Sequence, residues 1–331
     1  MAVRKLKELL FSAFYFLFFA VDCFCETLSI RDFRRYLLDA KAFSYFGTYP
    51  GGIDNPQAGF INPASLSTLE TSQIQFSWAD LFGMDLRVSG ISYGMKMDEK
   101  NVFSITWASL KSFDMPIYDV YRYPVNGEPT GEGIILDENG NPVSFGSFRQ
   151  YQNILMLTHS SARRVFSYGF NARYMERSFG GNSTDSYLDE LVNFASSCWV
   201  FDAGFTLKCG GLEFPFSFFN LASTKFMWNT EEPYSEKLLK EFQGGVYFHK
   251  KWFIAGAEVV KIEGEDEEFY YSLGCRKGLY DLRFAYREKE ISAGFGIKIP
   301  VAVGYKLLFD YGFRTNEVFD ASHYFTAGLS W

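Results

Sequence analysis

From Gln73 onward, hydrophobic residues recur at every second position, the period of a β-strand whose successive side chains point to opposite faces. The last stretch is the plainest. Phe325, Ala327, Leu329 and Trp331 alternate with Tyr324, Thr326, Gly328 and Ser330. In Glu290 to Phe313, a row of Ile291, Phe295 and Ile299 is followed, past Pro300, by a row of Tyr305, Leu307, Phe309, Tyr311 and Phe313. Pro300 cannot donate to a sheet ladder, so a tight turn is predicted there. In Met84 to Met97, Leu86 and Val88 are out of phase with Ile91, Tyr93 and Met95, and Gly90 lies at the switch. A β-bulge at Gly90 is the predicted cause. About fourteen strands follow from this pattern, the first at Gln73–Ala79 and the last at Ala321–Trp331.

Row length separates the two architectures that give such alternation. Soluble sandwiches use strands of about 5–6 residues, whereas a tilted membrane strand needs about 9–11. The rows here correspond to the longer class. Arg173, Lys208, Arg283, Lys298 and Lys306 all fall on the polar face. That placement matters because a Lys on the lipid face at mid-membrane costs about 2–4 kcal/mol. The expected fold is therefore all-β: a transmembrane antiparallel β-barrel whose outer face meets a lipid bilayer.

Composition agrees. Of 331 residues, 19% are aromatic and 21% charged, which suits strands and interfacial girdles and excludes a helical membrane bundle. A net charge of −7 argues against nucleic acid as a partner. Arg4, Lys5 and Lys7 precede an apolar core from Leu9 to Val21, the form of a secretory signal over residues 1–25. Cleavage is expected after Cys25, and lipidation at Cys23 is the alternative.

Residues 26–71 do not alternate. Ile30, Phe33, Leu37 and Leu38 have helical spacing, with Ser29 or Asp32 at the cap, so a short helix is predicted over Ser29–Phe43, followed by a loop from Gly47 to Pro56. A barrel of about fourteen strands is too wide for its own side chains to fill. Residues 26–71 are accordingly predicted to form a hatch inside a barrel of residues 72–331. The long connections Lys111–Ser147, Ser178–Cys198 and Ala222–Glu241 are expected outside the cell, the first holding an Asn-Gly turn within Asp137–Pro142. The short connections are expected on the periplasmic side.

Candidate chemistry is sparse. Cys198, Cys209 and Cys275 form no C-x-x-C pair, and His159, His249 and His323 are scattered, so neither a metal nor a cofactor is expected. Gly90-Ile91-Ser92-Tyr93-Gly94 matches an esterase motif, but that motif requires a strand-to-helix elbow and here it lies inside a strand. No enzyme activity is expected.

Phe43 to Pro56, followed by Asn62-Pro63-Ala64-Ser65-Leu66-Ser67, resembles the start of the FadL-type outer-membrane transporters and their PorV/PorQ-like relatives. Phe201-Asp202-Ala203-Gly204-Phe205, Asn220-Leu221 and Phe309-Asp310-Tyr311-Gly312-Phe313 look like later motifs of the same group. The resemblance implies a fourteen-stranded barrel in the bacterial outer membrane, with Asn62, Pro63 and Ala64 as a hatch motif. For the FadL branch it implies passive transport of hydrophobic small molecules such as long-chain fatty acids. For the PorV branch it implies a partner role in secretion or surface assembly, and a general solute porin is a third reading. Phe325, Leu329 and Trp331 of the closing strand are the candidate signal for the barrel assembly machinery. Two roles stand open for the inward cations Arg173, Lys208, Arg283, Lys298 and Lys306. They could hold a substrate carboxylate, or form interior ladders with Asp202, Asp281 and Asp310.

Overall fold

A computed structural model describes residues 29–30, 32–48, 54–82, 86–112, 115–118, 120–125, 128–134, 144–183, 193–228, 234–316 and 320–331. Fourteen strands form a closed ring. In chain order they are Gln73–Leu81 (β1), Leu86–Lys96 (β2), Asn101–Ser112 (β3), Ser144–Arg163 (β4), Phe166–Ser183 (β5), Asn193–Cys209 (β6) and Leu212–Phe219 (β7). Then follow Glu241–Lys250 (β8), Phe253–Ile262 (β9), Glu267–Lys277 (β10), Tyr280–Arg287 (β11), Glu290–Ala302 (β12), Tyr305–Arg314 (β13) and Ser322–Ser330 (β14). Each pairs antiparallel with the next, and β14 returns to β1 with Gln73 opposite Ser330 and Asp80 opposite His323. Closure gives each strand a partner on both sides, as a sheet in hydrocarbon requires, with β6 leaving the β7 ladder above Ala203.

The alternation sets the two faces. Phe76, Trp107, Phe170, Phe201, Phe269 and Phe325 project outward and are exposed, while their neighbours Ser77, Thr106, Asn171, Asp202, Tyr270 and Thr326 are buried inside. The six connections at the end that holds Trp331 are two to four residues long. All the long connections lie at the other end, so the short end is periplasmic. β4, β5 and β6 run 20, 18 and 17 residues, well beyond a bilayer's need of about 9–11. Their extracellular ends therefore rise above the membrane. Much of the first long connection is itself sheet, a hairpin of Val120–Val125 and Glu128–Ile134.

Three local expectations are corrected. β12 runs through Pro300 to Ala302, and the turn falls at Val303-Gly304, where Gly304 has φ +82°. The missing donor of Pro300 is absorbed by a register shift between Pro300 and Ala302 instead of by a turn. Gly90 carries no bulge. The β1–β2 ladder is unbroken from Leu81–Leu86 to Gln73–Gly94, and β2–β3 likewise from Leu86–Ser112 to Lys96–Val102. The phase of β2 never changes, so Leu86 and Val88 face the lumen. Nor is Ser29–Phe43 one helix. Ser29–Ile30 is a strand beside Lys237–Leu238, and two single turns follow, Phe33–Tyr36 capped by Asp32 and Ala40–Phe43 capped by Asp39. Phe33, Leu37, Leu38 and Phe43 are buried on different sides of the path, so the cavity shapes this chain more than helical periodicity does. The signal segment, its cleavage site and the Asn-Gly turn lie outside the described residues.

Candidate functional site

Along six consecutive strands the inward row changes character halfway up. From the periplasmic side, Gln73, Gln75 and Ser77 give way to Ala79 and Leu81 on β1, and Ser92 gives way to Val88 and Leu86 on β2. Ser104 and Thr106 precede Ala108 and Leu110 on β3, and Ser160 and Thr158 precede Met156 and Ile154 on β4. Asn171 and Arg173 precede Met175 on β5, and Thr206 and Asp202 precede Val200 and Cys198 on β6. Polar side chains return toward the mouth, at Ser112, Gln152, Ser196 and Arg177, the last paired with Glu236 at 2.6 Å and lying over the rings of Phe226 and Trp228. The lumen is thus a polar seat below and an apolar vestibule above.

The amino-terminal segment fills the seat. Residues 54–65 are buried throughout, Asn62, Pro63 and Ala64 included. Asn62 caps the turn Pro63–Thr68 by accepting from Ala64 N at 2.9 Å, and its Nδ2 donates to the Phe216 carbonyl of β7 at 3.3 Å. Wall side chains take up backbone carbonyls the short turns leave free. Asn171 Nδ2 donates to Gly59 O at 2.9 Å, Ser160 Oγ to Ala64 O at 3.0 Å, and Ser217 Oγ to Ile61 O at 3.1 Å. Glycines make the fit possible. A Cβ at Gly169 would overlap the Pro63 carbonyl, and one at Gly204 would overlap Asn62 Oδ1. Leu66 and Leu69 seal the bottom against Val102.

A buried ion cluster marks the boundary between seat and vestibule. Arg173 donates to both carboxylate oxygens of Asp202, at 2.7 and 2.8 Å, and to Asn220 Oδ1 at 2.8 Å. Its Nη1 lies 2.8 Å from Asp32 of the amino-terminal segment. Arg34 of that segment binds Glu241 of β8 and, at 2.7 Å, the Phe60 carbonyl. Of the other inward cations, Arg283 pairs with Asp310 and Lys298 with Asp54. Lys208 meets Glu213 at 3.1 Å near the periplasmic rim, and Lys306 is exposed on that rim. Asp281 lies 3.7 Å from Lys41 and 3.5 Å from Arg276. The three deepest cations, Arg173, Arg283 and Lys298, therefore all have acidic partners, and for Arg173 and Lys298 one comes from the amino-terminal segment. Sequence reasoning missed Asp32, Asp54 and Glu241. Asp32 was legible as a cap, but its ion pair joins residues far apart in the chain.

Burial shifts Asp39 and Lys41 of this segment in opposite directions. It raises the Asp39 carboxyl to about 6, with Asp310 adding to the rise and Lys41 and Arg283 opposing it. It lowers Lys41 to about 8, helped by Arg276 and opposed by Asp281.

In the apolar half, Ile154, Met156, Met175 and Val200 of the wall, Phe226 and Trp228, and from below Phe33, Leu37, Phe60 and Ile61 form one cluster of buried side chains. Phe226 and Trp228 belong to a hairpin, Lys225–Trp228 with Tyr234–Leu238, that Ser29–Ile30 extends in parallel. This hairpin stands where the wall ladder is short. β6 pairs with β7 only up to Ala203–Phe218. Above that, the edge of β6 is met by Leu221 N donating to Phe201 O at 3.0 Å, Thr224 Oγ1 to Trp199 O at 3.0 Å, and Met227 O accepting from Ser196 Oγ at 2.8 Å.

On the closing strand, Phe325 and Trp331 are exposed on the outer face, Leu329 lies half-buried on that face, and the Trp331 ring stacks on Tyr93 at 6.1 Å. Ser92 faces the lumen from the middle of β2, with no helix after it.

A closed barrel with this aromatic exterior is an integral protein of the bacterial outer membrane. No protein-family model and no curated protein sequence matches the chain. Solved structures do match over most of its length. The toluene transporter TodX of Pseudomonas putida is 11% identical with a TM-score of 0.55, covering 88% of this chain and 97% of that one. The monoaromatic hydrocarbon channel CymD is 10% identical with a TM-score of 0.55, covering 90% and 98%. The toluene transporter TbuX of Ralstonia pickettii is 8% identical with a TM-score of 0.54, covering 88% and 97%. The fold is that of the FadL-type outer-membrane transporters.

Proposed function

We propose that the chain is a passive channel for small hydrophobic molecules, with residues 26–71 as a hatch that moves or gives way. One observation carries this reading: the upper lumen is apolar, with Ile154, Met156, Met175, Val200 and Trp228 buried on the inside of a membrane barrel. A water-filled porin has a polar interior. An apolar basin favours a molecule that leaves the outer leaflet or the aqueous phase for a greasy surface. The neighbours in fold that carry toluene and other monoaromatic hydrocarbons support the same class of cargo. Long-chain fatty acids are the cargo the resemblance implies, and their acyl chains share the apolar character of this region. Arg173, Arg283 and Lys298, already engaged by acids, then serve to hold the hatch and wall together; Lys208 and Lys306 stay at the rim as candidate contacts for an acidic head group. Asn62, Pro63 and Ala64 form the foot of the hatch, and no enzymatic step is involved. Phe325, Leu329 and Trp331 are proposed as the strand signature read by the barrel assembly machinery.

Proteoliposome uptake tests this. Labelled toluene and labelled oleate are compared with a labelled sugar, for the full chain and for a form lacking residues 26–70. A hydrophobic channel takes up one or both hydrophobic compounds above protein-free vesicles and excludes the sugar when the segment is present. Background uptake of every compound by both forms would refute transport. A PorV/PorQ-like partner role is the second reading, favoured by the raised wall of β4–β6 and its hairpin, which offer a surface above the membrane. Recovery of one stoichiometric partner from native membranes, together with absent uptake, would favour it.

A further inference from the structure

The periplasmic rim carries a repeated rung. At the turns that join β4 to β5, β8 to β9 and β10 to β11, the last outward pair is a basic residue opposite an aromatic one: Arg163 opposite Phe166, Lys250 opposite Phe253, and Lys277 opposite Tyr280. Directly opposed residues share a face and lie within side-chain reach. All three basic residues are exposed. The turns add Arg164 and Lys251, each followed by an exposed apolar residue, Val165 and Trp252. The turn between β6 and β7, which lies among them, is Gly210-Gly211. On this arc from β4 to β11 the described rim holds two acids, both facing inward: Glu213, engaged by Lys208 and by His249 at 3.6 Å, and Asp281, engaged by Arg276 at 3.5 Å and Lys41 at 3.7 Å. Asp98 and Glu99 are on the neighbouring turn between β2 and β3, where Lys100 O accepts from Ala162 N at 2.8 Å and Asp98 is taken up by the amides of Lys100 and Asn101; exposed Glu70 lies before β1, off the arc.

At the opposite end of these strands, one connection has the reverse sign, though Glu263 pairs with Lys237 and Glu267 with Lys261. The β9–β10 connection and the start of β10 carry Glu263, Glu265, Asp266, Glu267 and Glu268. A chain with a net charge of −7 has therefore concentrated cations on one half of one rim, at outward positions.

We propose that this arc binds the phosphate head groups of anionic phospholipids in the periplasmic leaflet. The aromatic of each rung sits at the depth where rings prefer the interface. The cation beside it reaches the head-group phosphate, its aliphatic stem lying along the ring and apolar surface. Outward register separates this from docking of a soluble acidic partner, which would meet the turn tips and not side chains that continue the lipid-facing rows. The binding fixes the barrel's depth and its rotational neighbours in the membrane.

Native mass spectrometry of the detergent-purified barrel, offered equal phosphatidylglycerol and phosphatidylcholine, tests it. The natural chain retains phosphatidylglycerol preferentially. The triple variant Arg163→Gln, Lys250→Gln, Lys277→Gln loses that preference, each cation being worth about fivefold near an anionic surface. A Glu265→Gln, Asp266→Asn variant at the other end keeps it. Heat-modifiable gel mobility verifies that each variant is folded. Should the triple variant not fold, the natural chain still decides, because raising salt to about 1 M, where the Debye length is about 3 Å, must erase the preference. Equal retention of the two lipids by the natural chain, a preference unmoved by salt, or a folded triple variant that retains phosphatidylglycerol as before overturns the proposal. So does a variant that loses a soluble protein partner while keeping the lipid preference.

Discussion

The two halves of the lumen on β1–β6 are lined by the same strands and hold the same amino-terminal segment, yet by different forces. In the periplasmic half, Asn171, Ser160 and Ser217 hydrogen-bond the backbone of residues 59–64, and Gly169 and Gly204 clear the space for it. In the extracellular half, the side chains of Phe33 and Leu37 join one apolar cluster with Ile154, Met175 and Val200. Hydrogen bonds fix register and position, whereas apolar contact is non-directional and yields to another apolar body of similar size. On the proposed function, anchoring falls to the lower half and cargo to the upper, and that division can be attacked from either side.

The sharpest break is at the boundary. Arg173→Ala leaves Asp202 buried without its cation and Asp32 with Arg34 alone, at 3.4 Å, and loss of one partner of a buried ion pair costs about 3–5 kcal/mol. The expected result is release of the segment, read as protease cleavage within residues 32–69 and as raised conductance in planar bilayers. Next comes pH. A released Asp39 ionises near 3.8 but a docked one near 6, so between those values the docked state holds a proton that the released state has given up. Docking weakens as pH rises from about 4 to 6 and is level above and below, by at most about 3 kcal/mol. Asp39→Asn, which keeps an acceptor for Ala42 N, should flatten this slope in melting or proteolysis curves. An unchanged slope would show that Asp39 is not its source.

Smaller effects probe the seat. At Gly169, Ala brings its Cβ against the Pro63 carbonyl and the Ala64 amide, both backbone, so docking should weaken by about 1–3 kcal/mol. Asn62→Ala removes a cap and one bond to β7, worth about 1 kcal/mol. If Gly169→Ala or Asn62→Ala impairs uptake of a hydrophobic compound more than it frees the segment to protease, the division between anchor and basin fails.

The alternation of β14, ending in Phe325, Ala327, Leu329 and Trp331, already carried the barrel, because a period of two with one greasy face has few other outlets over rows of that length. The same logic located all fourteen strands and the periplasmic turns other than that at Pro300. It failed at Leu86 and Val88, which were read as a slip in the backbone, since it took the inward face to be uniformly wet. Whether an inward Val meets water or Phe60 depends on what occupies the lumen, and the occupant comes from residues 32–69, whose helical spacing at Phe33, Leu37 and Leu38 does not yield one helix and whose remainder does not alternate. The ion pairs Asp32–Arg173 and Asp54–Lys298 were hidden for the same reason: they join positions 141 and 244 residues apart, by subtraction of their numbers, and nothing local marks a charge as having a distant partner. Local periodicity fixes which face a side chain takes. What that face touches is settled only once the ring has closed around the segment that precedes it.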